Sequence, residues 1–402
     1  MKIKLQFILC MILTQSIIDF IKLHENDNTD KLLLSASKYP EINIPLIVDQ
    51  IIARRQIKEK LPSWYACREL FYPSRLATEQ CSSEITAEYK QKLTRGNTLC
   101  DLTGGLGIDS FYFSKQVKKV IYTERFSDYC EAAKHNFSIL EANNIQILNQ
   151  EAGEVAESVK VDTFYIDPAR RTEGNKRVFA LSECEPDVLQ LKPLLLDNAQ
   201  RVIIKISPMA DIMETLRLLP ETAEIHVLSV RNECKELLYV LENEKRNADP
   251  VVSTFNVTST GKKQLFGFQL SAEKETEITY TPNIKKFLYE PNSSILKAGA
   301  FKLPAKRFNA EKLHPHSHLY TSDLWIEDFP GRKFVVDKVF GFSGKGLKQL
   351  YRTIPQANIT TRNFNLSVKD LRQKSKITEG GPIYLFATTL YPNTPVLVQC
   401  HK

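Results

Sequence analysis

Apolar and polar positions follow two different periods along this chain, and the switch between them marks the elements. Behind Thr14, a side chain suited to an N-cap, Ile17, Ile18, Ile21 and Leu23 recur at helical spacing. Leu32, Leu33 and Leu34 predict a second helix, and Ile47, Val48, Ile51 and Ile52 a third. Tyr39-Pro40 and Ile44-Pro45 break the chain between them. Arg54, Arg55, Lys58 and Lys60 follow the apolar face and are expected to form a solvated helix end, an RNA-facing end being the alternative. From Asn97 the period changes. Apolar, branched runs at Asn97–Cys100, Lys119–Glu124, Ile145–Leu148, Thr163–Ile166, Arg201–Ser207, Ile225–Val230 and Glu236–Leu241 predict strands. Helices are expected at Thr86–Leu93, Ser110–Val117 and Asp187–Leu196. Strands alternating with helices predict an α/β domain, Rossmann-like, on a sheet of seven strands. Val251–Val257 and Gln264–Leu270 predict two more strands, and acidic Ser271–Glu277 a linker.

The C-terminal part differs in kind. Ile284–Pro291 and Ile295–Gly299 make a small segment with few acids, and Lys333–Val336, Ala357–Phe364 and Pro382–Ala387 predict strands. Ser367-Val368-Lys369-Asp370 has the spacing of a capping box and opens a helix through Lys376. His314, His316 and His318 alternate, which on a strand puts them on one face. No acid or cysteine accompanies them, so a loop or strand edge is expected and no metal site. Small α+β domains are the expectation here.

The chemistry gathers at the strand ends. Asp101-Leu102-Thr103-Gly104-Gly105-Leu106-Gly107 joins the first strand to a helix, and its glycines let backbone approach a ligand. Glu124 ends the second strand 20 residues after Gly104, near the spacing at which an acid takes the ribose hydroxyls of a nucleoside cofactor. Glu151 follows the third strand, and Asp167-Pro168-Ala169-Arg170-Arg171 the fourth. Ligands of open α/β sheets sit beyond these ends. Asp101 stands where a dinucleotide fold places a glycine to admit a pyrophosphate, which disfavours an NAD-dependent oxidoreductase. A run of carboxylates suits a cationic nucleoside without phosphate, and S-adenosylmethionine is one. Glu79, Gln80 and Ser83, in the polar stretch before the first strand, have the chemistry either to close over a cofactor or simply to cap helices.

The whole chain has 402 residues and a net charge of +7, with 43% hydrophobic residues, as a soluble globular protein of several domains would. Its eight cysteines include no C-x-x-C pair, which points to a reducing, cytoplasmic setting. The charge is uneven: Thr281–Lys402 holds 19 Lys+Arg against 8 Asp+Glu, whereas the preceding residues hold 35 against 39. Such a bias suggests a polyanion, most simply nucleic acid. Lys2, Lys4 and the apolar run Leu5–Leu13 have the outline of a signal peptide. The run is short and lacks a small-x-small cleavage site, so a soluble helix with an apolar extension is expected and no membrane span.

The block from Asp101 to Gly107, with Glu124 and Asp167-Pro168-Ala169-Arg170, resembles class I S-adenosylmethionine-dependent methyltransferases. With Tyr72-Pro73, Glu79-Gln80-Cys81-Ser82-Ser83, Thr361-Arg362-Asn363-Phe364 and Gly380 to Thr389, the chain resembles a bacterial family of such enzymes that carries ferredoxin-like and THUMP-like C-terminal domains. The resemblance implies a helical region at 1–84, a methyltransferase domain at 85–273, a ferredoxin-like domain at 276–319 and a THUMP-like domain at 320–402. THUMP domains in other enzymes present RNA to a methyltransferase, so an RNA substrate is implied. The expected cofactor set is Asp101, Thr103, Gly104, Gly105, Gly107, Glu124 and Glu151, around S-adenosylmethionine. Asp167 and Arg170 are the expected catalytic pair, and Arg171, Arg362, Arg372 and Lys374 the expected RNA contacts.

Methyl transfer is an in-line displacement, so such a protein must align donor and acceptor and manage the acceptor's proton. The Asp-Pro-Ala-Arg string also resembles that of uridine C5-methyltransferases, which need a cysteine at the fifth strand end. Here that end reads Lys205-Ile206-Ser207-Pro208, which favours a nitrogen or 2′-hydroxyl acceptor. The competing classes are an RNA-binding protein on an inactive fold and a small-molecule methyltransferase. The first leaves the strand-end acids without a purpose, the second the basic C-terminal part.

Overall fold

Thr14 accepts the Ile17 N–H at 3.4 Å and opens the helix Gln15–His24, which buries Ile18 and Ile21 and leaves Leu23 exposed. Asn28 and Asn43 cap the next two helices, Thr29–Leu34 and Ile44–Ile57, and Ile47, Val48 and Ile51 pack against Ile21 and Leu32. The basic end of the third helix keeps Arg55 and Lys58 exposed, as expected, but not Arg54. Arg54 is buried and donates to the Tyr65 and Cys67 carbonyls, Arg55 donates to those of Glu25 and Asp27, and Lys60 to those of Thr78 and Glu79. These donors satisfy carbonyls at turns and helix ends that no ladder reaches.

The computed structural model describes residues 13–170, 181–245 and 247–402, so the apolar start Met1–Ile12 and the polar stretch Thr172–Arg177 lie outside the described residues. Contacts divide the chain into two units, Met1–Ala223 with Leu238–Ala248, and Glu224–Leu237 with Asp249–Lys402. Among the described residues no helix is long and apolar enough to cross a membrane.

In the first unit the strands are β1 (Thr98–Asp101), β2 (Lys119–Thr123), β3 (Ile145–Leu148), β4 (Val161–Ile166) and β5 (Ala199–Ile206), with the ends of β6 (Thr222–Val230) and β7 (Glu233–Leu241). Their order is β3-β2-β1-β4-β5-β7, and β1 to β5 pair in parallel. β1, β2, β4 and β5 are buried along most of their length and read as near-continuous apolar runs, whereas the edge strand β3 leaves Gln146 exposed. β1 is central, so its C-terminal end faces the crevice where the strand order reverses.

In the second unit β6 pairs in parallel with β8 (Val251–Val257), and β8 antiparallel with β9 (Lys263–Gln269). All seven expected strands form, and β8 and β9 lengthen the sheet to nine. The stretch read as a linker is instead largely the helix Leu270–Glu275, and its Glu273 accepts the N–H groups of Phe301, Lys302 and Leu303. A second sheet follows: β10 (Phe287–Pro291), β11 (Glu311–Lys312), β12 (Tyr320–Ser322), β13 (Gly331–Gly341), β14 (Asn358–Arg362), β15 (Tyr384–Leu390) and β16 (Thr394–His401). Its order is β11-β12-β10-β13-β16-β15-β14. Only the β14–β15 pair is parallel. Ser367 accepts the Asp370 N–H at 3.2 Å and opens the helix Val368–Ser375, as the capping box requires. The three alternating histidines lie on no strand: His314 is buried, His316 is exposed, and His318, at φ 52°, stacks on Phe301. No cluster of metal-ligating side chains occurs among the described residues.

Glu290 on β10 is buried, and two guanidinium groups satisfy it. Arg362 donates to Oε1 through Nε at 2.8 Å, and Arg332 to Oε2 through Nε at 2.6 Å. The carboxylate thus ties β10 to both β13 and β14. Glu290→Gln removes the charge from both pairs and the acceptor from one of them, and should cost about 2 kcal/mol. Urea unfolding followed by tryptophan fluorescence, with Trp325 as the reporter in this unit, measures it. A midpoint equal to wild type would show that the two arginines find water instead.

Candidate active site

The glycine turn is built on Asp101. Its carboxyl accepts the Thr103 N–H at 3.0 Å on Oδ1 and the Ser110 hydroxyl at 2.6 Å on Oδ2. One side chain therefore fixes both the start of the turn and the helix Ile108–Ser114 that follows it. The turn closes when the Gly104 N–H meets the Thr123 carbonyl at 2.8 Å and Gly107 that of Gly104 at 2.9 Å. Glycine is required at 104, where an added Cβ would lie 2.2 Å from the Tyr122 ring, and at 107, where φ is 85° and Phe137 stands 2.6 Å away. Gly105 differs: its φ is 54°, but the nearest atom to an added Cβ is the Thr103 carbonyl oxygen at 3.9 Å. The space in front of Gly105 is open.

Two more strand ends are tied to this turn. Glu124 accepts the Gly105 N–H at 3.0 Å and the Phe126 N–H at 2.9 Å, so its carboxylate is fixed at the end of β2. The Tyr122 hydroxyl holds the Gly105 carbonyl at 2.6 Å. Phe126, beside Glu124, keeps its side chain 54% exposed. At the end of β4 the Asp167 N–H donates to the Thr103 hydroxyl at 2.7 Å. Lys205, at the end of β5, donates to Asp167 Oδ2 at 2.6 Å. Asp101, Thr103, Gly104, Gly105, Gly107, Glu124 and Asp167 are thus one hydrogen-bonded constellation. Glu151 stands exposed at the N-terminal end of the helix Ala152–Ser158, without a side-chain cap bond.

Arg170 ends a two-residue ladder, Ala169–Arg170 against Cys184–Glu185. The Arg170 side chain and all of Arg171 lie outside the described residues. In the second unit Arg362 is spent on Glu290, and Arg372 donates to the Ile377 and Ala357 carbonyls at 3.3 Å. Lys374 is exposed. Ser83 caps the helix Glu84–Lys90 through the Thr86 N–H at 3.2 Å, and Glu79 and Gln80 end the helix Arg75–Gln80.

Three neighbours were not among the expected site residues. Lys205 is one. Lys90 and Ser82 are the others: Lys90, fully buried, reaches Asp109 at 2.8 Å, and the Ser82 and Tyr165 hydroxyls both donate to Asp109 Oδ2 at 2.8 Å. Burial works against the Asp109 charge, but Lys90 and then Lys205 outweigh it and hold this carboxyl below the usual range. Asp109 sits in the first turn of the helix after the glycines, so this pair fixes where that helix begins. The sequence signal was a lysine at the end of a short amphipathic helix; its partner lies 19 residues on.

Burial raises the Asp101 carboxyl from 3.8 to about 7, against the opposing pull of its bonds to Ser110 and Thr103. The native state therefore keeps a proton that the unfolded chain loses near 3.8, and wild-type stability falls as pH rises from about 4 to about 7. Asp101→Asn cannot ionise, yet it offers Thr103 an acceptor and Ser110 a donor. Its stability relative to wild type should rise across that window by on the order of a few kcal/mol. Urea unfolding at both ends of the window checks this; a difference that does not change with pH would refute it.

Comparison with known proteins gives the following. A ferredoxin-like domain model matches residues 287–330, and a THUMP domain-like model matches residues 331–402. The crystal structure of a candidate methyltransferase from Porphyromonas gingivalis W83 is 37% identical and covers 96% of this chain and 97% of its own, with a TM-score of 0.87. Two distant structures resemble a smaller part. A candidate methyltransferase from Streptococcus mutans, in complex with SAH, is 12% identical over 40% of this chain and 96% of its own, with a TM-score of 0.30. An rRNA methylase from Streptococcus thermophilus is 15% identical over 39% of this chain and 94% of its own, with a TM-score of 0.31. No curated protein matches the chain.

Proposed function

Since the chain belongs to the bacterial class I methyltransferase family with ferredoxin-like and THUMP-like C-terminal domains, we propose that it transfers a methyl group from S-adenosylmethionine to RNA. The observation that carries the first half is the donor set of the turn: open space in front of Gly105, with Glu124 and Asp167 both bonded to the same loop. That set is acidic, which fits a cationic, phosphate-free nucleoside and not a dinucleotide. Glu124 would take the ribose hydroxyls, with Phe126 beside it for the adenine. Thr103, Gly104, Gly105 and Gly107 would line the remainder, Asp101 would hold the turn in shape, and Glu151 would face the same ligand from the third strand.

The bound cofactor supplies a methyl group on a sulfonium. What remains to the protein is alignment and a proton. Lys205 fixes Asp167 through Oδ2, which leaves Oδ1 to accept a hydrogen bond from an acceptor amine or hydroxyl. Pro168 and Ala169 give a wall for a flat base, and Arg170 and Arg171 would take an adjacent phosphate. No cysteine stands at the end of β5, and burial pushes the Cys100 thiol up to about 12, far from a nucleophile. A nitrogen or a 2′-hydroxyl is therefore the proposed acceptor.

The RNA half rests on the THUMP-like match and on the basic C-terminal part. With Arg362 and Arg372 committed within the fold, the exposed Lys369, Lys374 and Lys376 are the cations left on and after the helix Val368–Ser375 for phosphate. In this reading the protein works in the cytoplasm.

Two measurements test the halves separately. Glu124→Ala should weaken S-adenosylmethionine binding by about tenfold or more in calorimetry, from loss of hydrogen bonds to a charged group. Unchanged affinity would sink the cofactor assignment. Binding of single-stranded RNA should weaken with salt, at about 0.7 in the log–log slope per phosphate contact, and removing Lys369, Lys374 and Lys376 together should lower that slope by up to about 2. RNA affinity that ignores salt would remove the case for an RNA substrate.

A further inference from the structure

We propose that a cavity of about 500 Å³ in the second unit holds an unpaired nucleobase of single-stranded RNA. The inference rests on the RNA reading above and adds to it a place and a recognised group. The cavity lies at the end of β14 and is lined by His314, His316, Asn363, Phe364, Asn365 and Asn393, with two threonines. Its size is that of a small-molecule site.

The lining decides what enters. It contains no carboxylate, ammonium or guanidinium group, so neither a phosphate nor a metal cation finds an opposite charge there. Three amide side chains supply donors and acceptors together. That is the complement of the edge of a heterocyclic base, which presents both within a few ångströms. Phe364 supplies a ring: Phe342 holds it edge-on, with centroids 4.8 Å apart, and leaves it half-buried in the wall. His316 adds a second, exposed ring, 5.5 Å from that of His314. Bases taken out of a helix are bound by such ring faces and amide edges, whereas a paired base cannot enter a concave site.

The cavity is also built and neutral. His314 Nδ1 lies 3.1 Å from the His316 N–H and 3.0 Å from the Asn363 amide nitrogen, so it accepts from both and the ring proton sits on Nε2. Burial lowers the affinity of His314 for a second proton, so the ring stays neutral. Asn363 holds a left-handed backbone, φ 49°, and the Thr389 hydroxyl pins its carbonyl at 2.6 Å. With its amide nitrogen given to His314, Asn363 keeps Oδ1 for a ligand. Lys312, beneath the loop, spends its ammonium on the His314 and Pro315 carbonyls, which stiffens the turn without charging the cavity.

The test uses the full chain and a fluorescently labelled RNA, either as a single strand or paired into a duplex. Three variants are compared with wild type. Asn365→Ala with Asn393→Ala removes two exposed amides. Phe364→Leu keeps an apolar contact to Phe342 but loses the ring. Asn363→Gly removes the third amide and tolerates the left-handed backbone. Each should lower single-strand affinity by about tenfold, the scale of one stacked or hydrogen-bonded base, and leave duplex affinity and the salt slope unchanged. Thermal melting confirms that each variant is folded. Single-strand affinity and preference unchanged in all three, with salt-dependent RNA binding intact, overturns the nucleobase site and leaves the RNA reading standing. Absence of binding to any RNA overturns the RNA reading, and the site with it.

Discussion

The glycine turn stands on one buried carboxyl with two partners. Asp101 spends one oxygen on the Thr103 N–H and the other on the Ser110 hydroxyl. Without those bonds the chain leaving β1 would have a buried acid and an unpaired amide, each costing free energy. With them, the turn has a single shape. That shape lets the Gly105 N–H reach Glu124 and the Thr103 hydroxyl reach the Asp167 N–H. The alignment of three strand ends thus follows from how one acid is satisfied. The Lys90–Asp109 pair performs the complementary task, fixing the helix start against the opposite side of the turn.

Much of this was legible in the sequence. Inner strands of the sheet are near-continuous apolar runs, so β2 at Lys119–Thr123 and β5 at Ala199–Ile206 fall where the pattern predicts. Gly104 and Gly107 announce themselves because sterics allow no side chain there, and Glu124 because an acid ends its strand. What escaped has one physical origin: the destination of long polar side chains is set by partners far away in sequence. Nothing near Arg54 shows that its donors will meet Tyr65 and Cys67, nor does Arg362 reveal Glu290 across 72 residues. The same blindness turned Ser271–Glu277 into an expected linker, since acidity looks like solvation until Glu273 is seen capping the turn at Phe301–Leu303. His314, His316 and His318 fall in a loop, one of the two settings expected, because His318 has positive φ and breaks the period.

The two C-terminal family matches meet at residues 330 and 331, yet the fold does not separate them there. β10, from the ferredoxin-like part, pairs with β13, from the THUMP-like part, over Phe287–Pro291. Glu290 then reaches β14 through Arg362. The two parts share a sheet and a buried charge, so they answer to one another in stability. The cavity repeats the pattern, drawing His314 and His316 from one part and the asparagines from the other.

The backbone passes between the two contact-defined units three times, at 223/224, 237/238 and 248/249. The C-terminal unit therefore owns a strand pair encoded in the middle of the gene. It is not a tail that recombination could graft onto another enzyme, or a single protease nick could release. An exchange of the tail alone would leave β8 and β9 to find a substitute for the native β6. Inheritance of the whole as a block, with both halves constrained to change together, is what that threading imposes.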